Sequence, residues 1–368
     1  MNILKKKESK IYICCPSGVV TGGVELLHQL ADVLSNNGRN AFLVYYGKAE
    51  HKIPDAYKKY NVHLAEKIED TNDNLVVLPE TILHLAFGIK NAALVYWWLS
   101  VDNFFFGELP YLSIKDLFRF NKKMAFVQII KRPAKRVLRG KAIKFSFKQV
   151  MSLPNIVCNA YQSEYAKDFL NRNGFTNTAS LKDFINDDYL SVLPDEKAKE
   201  DIVAYNPMKG FKFTRKLIKA DSSINWVAIQ NMTRSQVKDL LLRAKVYVDF
   251  GNHPGKDRIP REAAMCKCCI ITGKQGSARF FGDVPIDENK YKFDQKSTDV
   301  HTITKTIKTI FAKYDEAIKD YEDYRKMILG EKEEFEQDAI KLFSKFGGGY
   351  SCLTKFNKLL LSSYKEAA

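Results

Sequence analysis

The sequence predicts an α/β protein made of two doubly wound, parallel-sheet units in tandem. Short apolar runs alternate with stretches of helical periodicity. That alternation breaks near Pro194, where charge rises, and then restarts. A chain of 368 residues is also longer than one ordinary hydrophobic core organises.

In the first unit Ile11 to Cys15 is an apolar run closed by Pro16. A glycine loop follows, and Leu27, Leu30, Ala31 and Leu34 then recur at helical spacing until Gly38 stops the helix. Phe42 to Tyr46, Leu75 to Leu78, Leu94 to Trp98 and Asn155 to Cys158 read as further strands. Ser163 is placed to cap a helix from Glu164 to Asn173, ended by Gly174. In the second unit Ile202 to Tyr205, Ile224 to Ile229, Val246 to Phe250 and Cys268 to Thr272 are strands. Helices follow Gly210 and Thr233, and Pro260 is placed to open another. Charged helices follow from about Thr302. The expected division is residues 1–190, 191–330 and 331–368, the last being helices that cross back to the first unit.

The chain is 45% hydrophobic and 27% charged, the composition of a globular protein. No apolar run reaches the roughly 18 residues that a membrane span needs, and Met1-Asn2-Ile3-Leu4 before three lysines lacks the apolar stretch of a signal peptide. The expected location is the cytoplasm. Seven cysteines, several in apolar runs, argue against a disulfide framework. Cys266-Lys267-Cys268-Cys269 lacks the spacing of a zinc site, and no metal is expected. The formal net charge of +15 is concentrated. Lys115 to Lys148 holds twelve Lys or Arg and one acid, Asp116, which is +11 of the total.

Two parallel-sheet units present ligands to the carboxyl ends of their strands. Five stretches follow strands and carry polar groups. Pro16 to Glu25 contains Gly22 and Gly23, which let backbone amides approach a phosphate. Ala204 to Gly210 contains Asn206, Lys209 and Gly210. Asp249 to Glu262 crowds His253, Lys256, Asp257, Arg258 and Arg261 together. Such cations repel one another without an anionic ligand or partner acids, and Lys256 and Arg258 are candidates to neutralise a leaving diphosphate. Gly273 to Arg279 offers the amides of Gly276 and Ser277 to a phosphate, or is a plain helix cap. Tyr96 to Asn103 sets Trp97 and Trp98 beside Asp102 and Asn103, a mixture suited to a sugar-binding face. The alternative is that the tryptophans belong to the core. The pattern Gly-x-Gly-x-x-Gly and the Walker lysine are both absent, which weakens nicotinamide and ATP readings.

Gly22-Gly23-Val24-Glu25 with Leu30-Ala31, Leu34 and Gly38 resembles the opening of the retaining, family-four glycosyltransferases of the GT-B fold, and Val157 to Phe175 resembles the end of their N-terminal domain. The resemblance implies two Rossmann-like domains facing each other across a cleft. It implies a nucleotide-sugar donor such as a UDP- or GDP-sugar, no cofactor, and transfer to a glycan or lipid-linked acceptor. It also implies that Lys209 grips the donor diphosphate and that Glu262, matching the second glutamate of the family's pair, holds the donor ribose. Glu25, Trp97, Trp98 and Asn103 would lie on the acceptor side, with Asp102 as base or acceptor ligand. The place of the first glutamate is Pro254. Asp257 or His253 is the replacement to consider, and the stereochemical outcome stays open. No Asp-x-Asp triplet occurs, in keeping with metal-independent transfer. Competing readings are sugar-nucleotide epimerisation, a non-catalytic nucleotide-binding relative, and nucleic-acid binding through residues 115–148, whose phenylalanines interleave with cations. For that segment an anionic membrane, at the inner face, ranks ahead of nucleic acid.

Overall fold

The computed structural model describes residues 9–120, 122, 125–129, 144–192 and 194–345. They form two compact units. The first holds the described residues of Met1–Tyr161, Leu170–Leu181 and Glu336–Ala368, and the second holds Gln162–Phe169 and Lys182–Phe335. The division at Leu181/Lys182 precedes the charged stretch where the sequence suggested it. Among the described residues no helix is long and apolar enough to cross a membrane.

Unit 1 is built on β1 (Lys10–Pro16), α1 (Gly22–Asn36), β2 (Asn40–Tyr46), β3 (His63–Leu64), β4 (Leu75–Pro79), β5 (Ala93–Trp98), α2 (Val101–Gly107), α3 (Ile114–Phe120), α4 (Phe147–Met151), β6 (Ile156–Tyr161), the end of α5 (Glu164–Arg172) and β7 (Thr178–Ser180). Its seven strands lie in the order β3-β2-β1-β4-β5-β6-β7, all parallel. β4 and β5 are buried at every position, the mark of strands covered on both faces. His28 on α1 is buried and satisfied, its ring nitrogens 2.7 Å from the Tyr45 hydroxyl and the Val24 carbonyl.

Unit 2 contains α6 (Asp187–Leu190), β8 (Glu200–Tyr205), α7 (Phe211–Ala220), β9 (Asn225–Ala228), α8 (Arg234–Arg243), β10 (Ala244–Asp249), α9 (Arg258–Met265), β11 (Cys269–Gly273), β12 (Lys292–Phe293), α10 (Val300–Ala312), α11 (Tyr314–Ala317) and α12 (Glu322–Ser344), whose last turns from Glu336 belong to unit 1. The parallel order is β12-β11-β10-β8-β9. β8 connects onward to β9 on one side while β10 lies on its other side, so the strand order reverses between β8 and β10. Such a switch point leaves a crevice at the carboxyl edge of the sheet.

Local chemistry sets the frame. Thr233 and Gln236 form a reciprocal capping box at the start of α8. The N-terminus of α5 is capped from a distance, since the Asp283 carboxylate accepts from Glu164 N at 2.8 Å and Tyr165 N at 3.1 Å. Burial pushes that carboxyl up to about 6, and the two backbone donors pull it back. The buried Lys199 ammonium donates to the carbonyls of Leu241, Ala244 and Cys266 at 2.6–3.0 Å, tying three segments together. The described cysteines are free and buried.

Candidate functional site

The switch point of unit 2 opens into a cleft of about 700 Å³ at the ends of β8, β10, β11 and β12. Gly210, Phe250 and Gly251 form part of its lining. Gly210 has φ +63°, and a Cβ there would lie 2.3 Å from the Phe250 carbonyl, so only glycine lets the two loops meet. Phe213 and Phe250 add aromatic surface, and Asn252, Gln275 and Gln295 add carboxamides. Gln295 is oriented by donating to Phe250 O and accepting from Gln275 Nε2 at 3.2 Å. Lys212, Lys216, Lys274 and Lys296 line the cleft against one acid, Asp294. The cleft is built to take an anion with a flat, hydrogen-bonding part. Asn252, Lys274 and Gln275 belong to stretches that the sequence singled out, whereas Lys212, Lys216, Asp294, Gln295 and Lys296 escaped it, because they lie on α7 and on the loop after a two-residue strand.

Beside the cleft, Lys209 pairs with Asp257, and its side chain is 31% exposed. Asn206 turns the preceding loop by accepting from Met208 N at 2.9 Å. Asp257 occupies the N-cap position of α9 without accepting a capping hydrogen bond. The His253 ring is buried between two carboxylates. Its Nε2 lies 3.4 Å from Asp249 Oδ1 and its Nδ1 lies 3.3 Å from Asp257 Oδ2. Neither approach has hydrogen-bond geometry. Burial alone would lower the His253 pKa, but the Asp249 and Asp257 charges win and raise it. Burial likewise works to raise Asp249, and the His253 charge holds it low. The three ligand atoms lie within 4.8 Å of one another, close enough for a cation. A proton suits the arrangement better than a metal ion, since each ring nitrogen faces a different carboxylate and Lys209 already holds Asp257.

The remaining cations of this loop find partner acids within the protein. Arg261 is fully buried and donates to Asp183 Oδ2 at 2.8 Å and Glu331 Oε2 at 2.6 Å. It also donates to the carbonyls of Lys256 and Asp257. Burial would raise the Asp183 pKa, but the charges of Arg261 and Arg258 hold it low. Lys256 is buried with its Nζ 2.5 Å from Glu331 Oε1, which corrects the expectation that it neutralises a diphosphate. Arg258 is half-buried, its Nε 3.9 Å from Asp183, a carboxylate that Arg261 holds more closely. Glu262 is half-buried on α9 and does not line the cleft. Ser277 N donates to His253 O at 2.8 Å and Ser277 Oγ to Gly255 O at 2.6 Å. A Cβ at Gly276 would overlap His253 O. These two residues therefore clamp the His253 loop, and the Ser277 amide is not open to a phosphate.

In unit 1, Trp97 and Trp98 are fully buried, with their indole N–H groups donating to Leu181 O at 3.0 Å and Asn159 Oδ1 at 3.2 Å. Neither offers a ring face to a sugar, so the acceptor-side expectation is corrected for both. Six buried positions in β5 left no face open. Glu25 is buried and accepts from the Tyr60 hydroxyl at 3.0 Å. Gly22 and Gly23 begin α1. Asp102 and Asn103 lie in the first turn of α2, where Asn103 N donates to the capping Ser100 hydroxyl at 3.4 Å. Glu80, which the sequence reading passed over, is buried after β4. Burial pushes its carboxyl up to about 8, against backbone donors that include Leu99 N at 3.0 Å.

Neither a protein-family model nor a curated protein sequence matches the chain. Solved structures do. A glycosyltransferase from Rickettsia africae ESF-5 aligns over 92% of this chain and 98% of its own, with a TM-score of 0.56 and 12% identity. Sucrose-phosphate synthase from Thermosynechococcus elongatus aligns over 98% and 100%, with a TM-score of 0.55 and 12% identity. UGT71G1 from Medicago truncatula, complexed with UDP-glucose, aligns over 93% and 99%, with a TM-score of 0.54 and 11% identity. These neighbours are GT-B glycosyltransferases, and the fold of this chain is theirs.

The buried ion network yields a stability prediction. Arg261→Ala leaves Asp183 and Glu331 buried without their guanidinium, and should destabilise unit 2 by about 3–5 kcal/mol. Of the three tryptophans in the chain only Trp226 lies in unit 2, so its fluorescence during urea unfolding reads the change. A loss under about 1 kcal/mol would contradict the network's role.

Proposed function

We propose that the protein is a glycosyltransferase that takes sugar from a nucleotide-sugar donor held on unit 2. The observation that carries this reading is the lysine-lined cleft at the sheet's switch point, on a chain with the GT-B fold. The nucleotide lies at the carboxyl edge, with its diphosphate near Gly210, where the close loop approach brings backbone to the ligand, and near Lys209 and Arg258. The resemblance described above assigns Glu262 to the ribose, but Glu262 does not line the cleft, so this contact requires the ribose to extend beyond the cleft lining toward α9. One neighbour is a complex with UDP-glucose, which makes UDP-sugars the first donors to try, with GDP-sugars beside them. Asp102, at the start of α2, is assigned to the acceptor side. The positive charge of the site serves the departing diphosphate. Pro254 in place of the first family glutamate leaves both retaining and inverting transfer open, and product anomer analysis decides between them.

The direct test is calorimetric titration with UDP, GDP and ADP, followed by turnover with the matching sugars. One diphosphate should bind, and Lys209→Ala should weaken it about tenfold, roughly 1.4 kcal/mol. Absence of binding by all three would overturn the reading.

The acceptor is proposed to be lipid-linked or to lie at an anionic membrane surface. The support is in unit 1 and in the sequence beside it. Phe106, Phe126, Val127 and Ile129 are 44–61% exposed, near the exposed Lys115, Arg119 and Lys122. Phe118 packs edge-on to Phe126 at 5.1 Å, linking α3 to the helical residues 125–129. Residues 130–143, which carry six of the twelve cations, lie outside the described residues. Exposed apolar groups among cations suit an anionic leaflet. Liposome flotation at low salt should recover the protein with anionic and not with neutral vesicles. Equal recovery with both, or none, would remove the membrane claim, and tight binding to RNA or DNA at matched salt would promote the nucleic-acid alternative.

A further inference from the structure

The side chains of Lys209, Asp257, His253 and Asp249 form a chain of alternating character that runs from the half-exposed edge of the site into the core of unit 2. Its inner end is fixed. Asp249 ends β10, and its carboxylate accepts from Gly251 N at 2.8 Å and from the Tyr247 hydroxyl at 3.3 Å. The His253 backbone is pinned by Ser277 N, and the neighbouring Gly255 carbonyl by the Ser277 hydroxyl. The ring therefore has little freedom to turn away from its two carboxylates.

Only the protonated ring sets a charge of the right sign between these two carboxylates, which lie 3.3–3.4 Å from its nitrogens. A neutral imidazole has one N–H, so one of the two carboxylates would meet a nitrogen lone pair in a buried space. An imidazolium has two N–H groups, one for each carboxylate. The charged and titratable groups around the ring are Asp249 and Tyr247 from β10, Asp257 from the start of α9, and Lys209 from the loop after β8. The loop after β11 brings backbone groups at Gly276 and Ser277.

Asp257 supplies the second observation. A side chain at an N-cap ordinarily accepts from its own helix, a bond worth about 1 kcal/mol. Here it makes no such bond and instead meets His253 and Lys209. Sacrificing a local cap for a distant cation marks a residue arranged for the site rather than for the helix.

We propose that His253 is a positioning residue: as an imidazolium held between Asp249 and Asp257 it fixes the Asp257 carboxylate, and through it presents the Lys209 ammonium to the diphosphate of the bound nucleotide. This rests on the nucleotide reading of the cleft and deepens it. His253 is 1% exposed and does not itself touch the ligand, which replaces the expectation that it binds donor. Ligand binding and protonation of His253 are then linked. The raised His253 pKa places its charge fully on the ring below the ordinary value of about 6.5, and the positioning is lost as pH rises through the higher, folded value.

The test is the affinity of the full chain for UDP, or for GDP or ADP if that binds more tightly, from pH 6 to pH 9. Wild-type affinity should fall about tenfold across the rise. His253→Gln should be about tenfold weaker than wild type at pH 6, equal to it once the pH has passed the folded His253 value, and flat apart from any slope that belongs to the ligand's own phosphate. In turnover the variant should raise KM and also lower kcat, since Lys209 faces the departing diphosphate. Should His253→Gln fail to fold, Lys209→Gln, which leaves the buried His–Asp pair in place, should flatten the same profile. A variant that keeps the wild-type pH slope, or that loses kcat at unchanged KM, overturns the inference alone. A wild-type protein that binds no nucleoside diphosphate removes the nucleotide reading and this inference together.

Discussion

The site of unit 2 depends on one buried guanidinium. Arg261 joins three parts of the chain that are far apart in sequence: Asp183 in the segment after β7, the loop carbonyls of Lys256 and Asp257, and Glu331 on α12. With a further bond to the Asp183 carbonyl at 3.4 Å, placing five hydrogen bonds on a planar fork with fixed donors leaves the loop between β10 and α9 little choice of path. Ion pairs so deeply buried return little net stability, because desolvation offsets attraction. Their effect is to specify one arrangement, and the arrangement specified here is that of the loop bearing His253 and Asp257.

That constraint separates two kinds of cation in one short stretch. Lys256 and Arg261 point inward and are neutralised by acids of the protein. Lys209 points to the edge and is held by an acid that is itself 16% exposed, so an incoming anion can share its ammonium. The lysines of the cleft lie beyond this pair on α7 and on the loops after β11 and β12. Electrostatic gradation of this sort, from closed pairs to open ones across a few ångströms, is what a phosphate site needs. It supplies positive potential without collapsing onto its own carboxylates.

The fold was largely readable from the sequence because apolar runs and helical periodicity are local signals. The long strands, the Thr233 and Ser163 caps and the glycine stops at Gly38 and Gly174 appear where the pattern placed them. The two-residue strands β3 and β12 were not readable, since two residues carry no period. The site was readable only in outline. A crowd of cations between Lys256 and Arg261 signalled unusual electrostatics, but the partner acids lay about seventy positions away on either side. One of them did leave a trace. Glu331 interrupts the stripe Tyr324, Ile328, Phe335 and Ala339 that buries one face of α12, and a carboxylate on an apolar stripe requires a buried partner. The tryptophans misled for the opposite reason: a Trp–Trp pair beside Asp102 looks like a sugar platform in one dimension, and only the two-sided burial of β5 shows that both rings are core.

The most direct measurement is a crystal structure of the full chain with UDP, or with whichever nucleoside diphosphate binds in its place. The account predicts density for the diphosphate at the carboxyl edge of the unit 2 sheet, with a phosphate oxygen within hydrogen-bond distance of Lys209 Nζ and the base in the cleft between α7 and the loops after β10 and β11. Density for the diphosphate elsewhere, out of reach of Lys209 Nζ, would contradict it.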